Sequence, residues 1–220
     1  MASITRFGRL DKAFGYGSSE LLNRLARLSV LFEDFRIEWY ALRGDVSFGD
    51  LDTIGSKYRA IYFLRRSLVT LNEFQGGLTQ LQITDEFKRA KSSLSKMDAD
   101  EITAANLFFQ QNSDRMKEFR NELGGHLKLA GIEFATAHFT SDVSGKIEWN
   151  THKSDDHCLS LELHYANEIV AGAISSRLQG RKDLVEELRE ALEFIMQGYV
   201  HVQGSMYALT HAFLWDRFGT

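Results

Sequence analysis

Not one proline occurs in 220 residues, and that absence constrains the fold more than any other feature of this chain. Proline is the commonest helix breaker, because it lacks the N–H and its ring clashes with the preceding turn. A chain without it suits long helices, and the apolar pattern agrees. Leu21, Leu25, Leu28, Phe32, Phe35, Trp39 and Leu42 recur at alternating steps of four and three, which marks one face of an amphipathic helix. Ser18-Ser19 offers its N-cap, with Glu20 following in the first turn, and Gly44-Asp45 closes it.

The same periodicity predicts further helices. One runs from about Ile54 to Gln82 on a stripe of Tyr58, Ile61, Leu64, Leu68, Leu71, Leu78 and Leu81. Gly76-Gly77 interrupts it and should kink or fray its last turns, since a helical glycine costs about 1 kcal/mol relative to alanine. A short polar helix over 85–96 leads to another that starts near Asp98 or Asp100 and ends at Gly124. Its stripe is Phe109, Met116 and Leu123, with Phe119 beside them. A fourth long helix is expected over 157–178, and a last one over 182–218 with a seam through Leu184, Leu188, Leu192, Ile195, Tyr199, Val202, Met206, Leu209 and Phe213. Gly198 and Gly204 are candidate kinks in it.

Residues 129–150 change character. Ile132, Phe134 and Thr136 alternate with Glu133 and Ala135, and Ile147 and Trp149 alternate with Lys146 and Glu148, around a turn-rich 140–145. This reads as a β-hairpin around 132–150 that packs on the helices; the alternative is a helix from Leu127 to Ala137 followed by a loop. The Gly-rich 1–17 reads as a flexible N-terminal arm, and 18–220 as one domain. The expected fold is therefore mainly all-α, an antiparallel bundle of four to five long helices with one short hairpin.

Charge narrows the function classes. The net charge of −4 argues against a general nucleic-acid binder. Basic residues nevertheless crowd two segments: Arg115, Lys117, Arg120, His126 and Lys128, and Lys57, Arg59, Arg65 and Arg66. No run approaches the roughly 20 apolar residues of a membrane span, residues 1–10 lack the apolar core of a signal peptide, and Cys158 is the single cysteine. A cytoplasmic protein with no membrane partner is the expectation.

The segment Arg120-Asn121-Glu122-Leu123-Gly124-Gly125-His126 carries the chemistry. On a continuous helix Arg120 and His126 would stand about 240° apart and could not share a face. A helix that stops at Gly124 or Gly125 can turn and bring them together. A guanidinium, an amide and an imidazole in one place suit phosphate chemistry, with charge held by arginine and a proton moved by histidine near neutral pH.

That segment resembles the hallmark of the HEPN superfamily of small helical proteins: an arginine, four to six residues of which the first is often polar, then a histidine. Five residues lie between Arg120 and His126, and the first is Asn121. The resemblance implies a metal-independent endoribonuclease of a toxin–antitoxin or phage-defence system, with RNA as substrate, a homodimer that brings two motifs together, and an antitoxin or other protein as a further partner. Arg120, Asn121 and His126 would be the catalytic residues, with no cofactor and no metal. Some members of the family have lost catalysis, so the other expectation is a non-catalytic helical module that dimerises or binds a protein or nucleotide.

Other residues are weaker candidates. Asp155, Asp156, His157 and Cys158, with His152 and His164 nearby, include metal-ligand types but form only one cluster, where zinc sites show two spaced ligand pairs. Asp155 and Asp156 read instead as capping residues of the expected fourth helix. Glu162 with Glu168, and Glu186, Glu187 and Glu190, lack the Glu-x-x-His pattern of di-iron bundles. His201 and His211 sit among aromatics and read as packed helix residues.

Overall fold

Hydroxyl side chains decide where three of the helices begin, by accepting backbone N–H groups that have no partner within the first turn. Ser19 accepts from Leu22 at 3.2 Å and opens α1, Glu20–Arg43. Thr84 accepts from Phe87 at 3.2 Å and opens the short α3, Asp85–Ala90. Ser95 accepts from Asp98 at 3.1 Å and opens α4, Lys96–Gln111. Between them lie α2, Ser56–Gln82, and a single 3-10 turn, Lys91–Ser93; α5 is Leu184–Phe213. The computed structural model describes residues 13–14, 19–44, 56–117, 132–133, 136–137, 147–152, 155–163, 166, 169–170 and 184–215.

The four long helices alternate in direction. Arg24 bonds Gln80 at 2.9 Å, Arg27 pairs with Glu73 at 3.2 Å and Glu38 accepts from Thr70 at 3.0 Å, so α1 and α2 run antiparallel. Gln82 and Asn106 exchange amide hydrogen bonds at 3.1 and 3.2 Å, and Phe74 meets Phe109, which sets α4 antiparallel to α2. Asp98 meets His211 and Phe108 meets Phe194, which sets α5 antiparallel to α4. Phe35 and Trp39 meet Tyr199 across the α1–α5 seam. The mainly all-α expectation holds, and the described long helices form an up-down-up-down arrangement.

The seams read from the sequence form the core. Leu25, Leu28, Phe35, Leu71, Phe74, Leu78, Leu81, Ile195 and Leu209 are completely or almost completely buried, each contributing about 1.5–3 kcal/mol of apolar burial. Met116 is buried as well, while Leu192 of the expected seam is 37% exposed. Ala13 is helical and fully buried, and Phe14 packs on the core, so the arm expected over 1–17 has its 13–14 stretch against the bundle.

Two glycine expectations are overturned. Gly76 and Gly77 lie within a continuous α2; a Cβ on Gly77 would stand 2.8 Å from Leu28 Cδ2, so Leu28 of α1 seats where a side chain would be. A Cβ on Gly198 would stand 2.8 Å from Leu71 Cδ2. These glycines allow close helix approach, and neither interrupts its helix. Among the described residues the left-handed glycine is Gly44, with φ of 79°, which caps α1 through its N–H to Ala41 C=O.

Three sequence-based boundaries also fail. The helix expected to reach Gly124 breaks at Asn112, whose backbone N–H and side-chain amide both donate to Phe108 C=O, at 3.1 and 2.8 Å; a short helical stretch resumes over 113–117. The hairpin is not at 132–150: residues 132–133 and 136–137 are helical, with the Thr136 hydroxyl donating to Ile132 C=O at 3.0 Å, as the alternative helical reading of 127–137 has it. Instead β1, Ile147–His152, pairs antiparallel with β2, Asp155–Leu163. The start of the expected fourth helix is thus a strand, and Asp155 and Asp156 are strand residues, not caps. Alternation at 147–149 was a sound strand signal, but pairing to the C-terminal side left no local mark.

Burial of Glu38 is the feature that periodicity did not announce. It is 5% exposed in the α1–α2 interface, with Arg66 Nε at 3.5 Å. Its Oε2 and the hydroxyl of Ser67 are buried without a hydrogen-bond partner among the described residues. Desolvation by burial pushes the Glu38 carboxyl up from 4.5 to about 7, against the opposing bond from Thr70 and charge of Arg66. Between those values the folded state keeps a proton that the unfolded chain has lost, so stability falls as pH rises and levels off above about 7. We expect chemical denaturation to show a loss of at most about 3 kcal/mol from pH 4.5 to 8 attributable to this group. Glu38→Gln should flatten that slope and be more stable than the wild type at pH 8.

Candidate functional site

The sequence places the Arg120–His126 segment three residues beyond Lys117, and Arg120, Asn121 and His126 lie outside the described residues. What the structure gives is its approach. Met116 is buried, Arg115 lies over the Phe194 ring at 4.8 Å, and Lys117 stands 3.6 Å from Asp114. In the second basic segment Arg66 faces Glu38. The described cations of both clusters thus include several held by local contacts.

A different constellation is assembled at the other end of the α4–α5 pair. Asp98 lies in the first turn of α4 with its side chain 3% exposed, and His211 lies in the last turn of α5 with its side chain 38% exposed. His211 Nδ1 stands 3.0 Å from Asp98 Oδ2 and 3.2 Å from Oδ1. Ser95 completes the set: its Oγ donates to Asp98 Oδ2 at 2.7 Å while accepting from the Asp98 N–H. Ser95 thus caps α4 while its hydroxyl also bonds the Asp98 carboxylate. The carboxylate is therefore held from two sides, and a neutral imidazole donating from Nδ1 presents Nε2 as its acceptor.

The α5 ridge fixes the ring further. Tyr207 stacks on His211 with centroids 5.9 Å apart and planes 2° apart, and Trp215 stands on its other flank at 6.1 Å. Positions 207 and 211 are four apart on α5, and Trp215 follows in the turn just past the helix end. This row borders a cleft of about 400 Å³ between α1 and α5, within the size range of small-molecule sites. Phe32 and Glu33 of α1 form its opposite wall. A smaller cleft of about 250 Å³ lies further along the same seam between Trp39 and Met196; the Trp39–Tyr199 stack at 5.6 Å belongs to that seam.

Sequence reasoning saw both partners and missed the pair. Asp98 was legible as an N-terminal carboxylate and His211 as a helix residue among aromatics, but 113 residues separate them and only the antiparallel crossing joins them. His201 meets its expectation as a packed residue, stacked on Phe108 at 4.8 Å. Backbone register sets Thr151 opposite Cys158 and His152 opposite Asp155. Among the described residues no group of three or more His, Cys, Asp or Glu is placed to hold a metal ion.

No family model, curated protein or solved structure matches the chain. No helix among the described residues is long and apolar enough to cross a membrane.

The Asp98 contacts tie the start of α4 to the end of α5. Asp98→Ala removes the bond to His211 and the bond from the Ser95 hydroxyl, and should cost about 2 kcal/mol in urea denaturation. Ser95→Ala should cost about 1 kcal/mol. An Asp98→Ala protein as stable as wild type would show that the bond contributes nothing to the helix pairing.

Proposed function

We propose that this protein is a HEPN-like helical protein that cleaves RNA without a metal ion, in a toxin or phage-defence role, and that it acts as a homodimer in the cytoplasm. The Arg120-Asn121-x4-His126 spacing carries the reading, and the antiparallel helical frame that leads up to it supports it. His126 takes the proton of the ribose 2′-hydroxyl or returns one to the leaving 5′-oxygen. Arg120 stabilises the charge that develops on the cleaved phosphate, and Asn121 orients the phosphate or the imidazole. The attacking 2′-hydroxyl makes RNA the substrate. An antitoxin or other protein would be the regulatory partner.

One observation favours a second reading, a non-catalytic module that dimerises or binds a protein or nucleotide. Leu192, Met196 and Val200 of α5 are spaced by four on one face and are 37%, 47% and 60% exposed. Such an apolar row suits a contact surface.

Cleavage of single-stranded RNA by purified protein decides between them. The wild type should cut RNA in the presence of EDTA and leave DNA intact. Arg120→Ala and His126→Ala should each retain the fold and lose about 10²–10⁴ in rate. Light scattering should return about twice the 25.1 kDa chain mass. No cleavage by clean wild type, or cleavage undiminished in both variants, rejects the enzyme reading; a strictly monomeric mass rejects the dimer.

A further inference from the structure

The α1–α5 cleft has a composition of its own. Phe32, Tyr207 and Trp215 supply aromatic surface, with Tyr207 52% exposed. Gln203 and His211 supply an amide and an imidazole. Glu33 is its acidic group, and Arg36 already holds that carboxylate at 2.6 Å. No lysine or arginine is among the described residues that line the cleft. Such walls grip a flat ring by stacking and read its edge by hydrogen bonds, while offering nothing to a phosphate.

We propose that this cleft binds an unpaired nucleobase. The base stacks against the Tyr207 ring, 52% exposed, as bases do on aromatic side chains in single-strand binding. The Gln203 amide, with one donor and one acceptor side, pairs with the base edge. His211 accepts a base N–H at Nε2, because Asp98 at 3.0 Å takes up Nδ1 and fixes the tautomer. The sugar and any phosphate stay at the open mouth. Asp98 and Gln111, the ends of α4, are about 20 Å apart by helical rise, and the cleft lies at the Asp98 end. The site is thus separate from Arg115 at the far end, and it goes beyond the ribonuclease reading without depending on it.

The probes are adenosine, guanosine, cytidine, uridine and their 5′-monophosphates, titrated into the full chain and followed by saturation-transfer NMR and tryptophan fluorescence. At least one nucleoside should bind, and its monophosphate should bind no more tightly. Tyr207→Ala and Gln203→Ala, both at exposed positions, should each weaken binding about tenfold. Tyr207→Phe keeps the ring and should bind as wild type, which separates loss of stacking from loss of fold. Nucleoside binding and RNA cleavage are measured separately on the same protein, so that failure here and failure of the ribonuclease reading are distinguishable. The proposal is overturned if no nucleoside binds at millimolar concentration, or if both alanine variants bind undiminished. It is also overturned if the monophosphates bind tenfold tighter, or if tetramethylammonium occupies the cleft and displaces the nucleoside, which would make it a cage for an organic cation.

Discussion

Leu71 seated against Gly198 is the contact on which the bundle depends. It lets α5 approach α2 closely enough to reach α1 and α4 as well, so that one helix closes the assembly. The row from Ile195 through Val202 to Leu209 is completely buried as a result. A larger residue at 198 would have to displace Leu71, itself fully buried, in an interior with no slack to absorb it. The Gly77–Leu28 contact does the same between α1 and α2. Helix spacing here is set by the smallest side chains, and the large ones fill around them.

That geometry explains how much of the fold was legible. A step of three and four residues is a local signal, and Leu21 to Leu28, Ile61 to Leu81 and Ile195 to Leu209 all announce their buried faces through it. What a helix meets is not local. Gly77 and Gly198 read as breaks because glycine weakens an isolated helix, and packing against Leu28 and Leu71 overrides that preference. Asn112 gave no more warning than any polar helix residue, yet it caps the end of α4. Likewise Trp149 and its neighbours alternate as a strand should, but register with 155–163 is fixed by pairing that alternation cannot name.

The candidate sites divide along the same line. Arg120 to His126 is a short-range pattern and could be read from the chain alone. His211 and Asp98 each look ordinary in sequence, and become a pair only because antiparallel helices place the end of one beside the beginning of another. Buried Glu38 is similar: its neighbours Phe35 and Ala41 face inward, and position 38 shares that side. The seam pattern did not announce a charged residue there, and its upward-shifted carboxyl is the physical result of that burial.

Chain order gives the Leu71–Gly198 contact a consequence for synthesis. A chain made from its N-terminus completes α1, α2 and α4 long before Gly198 exists. Until α5 emerges, Leu71 and Phe108 lack the wall that covers them, and the nascent chain carries an unfinished groove. Pairing across so many residues must then be paid for in loop-closure entropy late in folding, while exposed apolar surface invites association with other chains. Closure by α5 is thus a late, long-range step in completing the bundle.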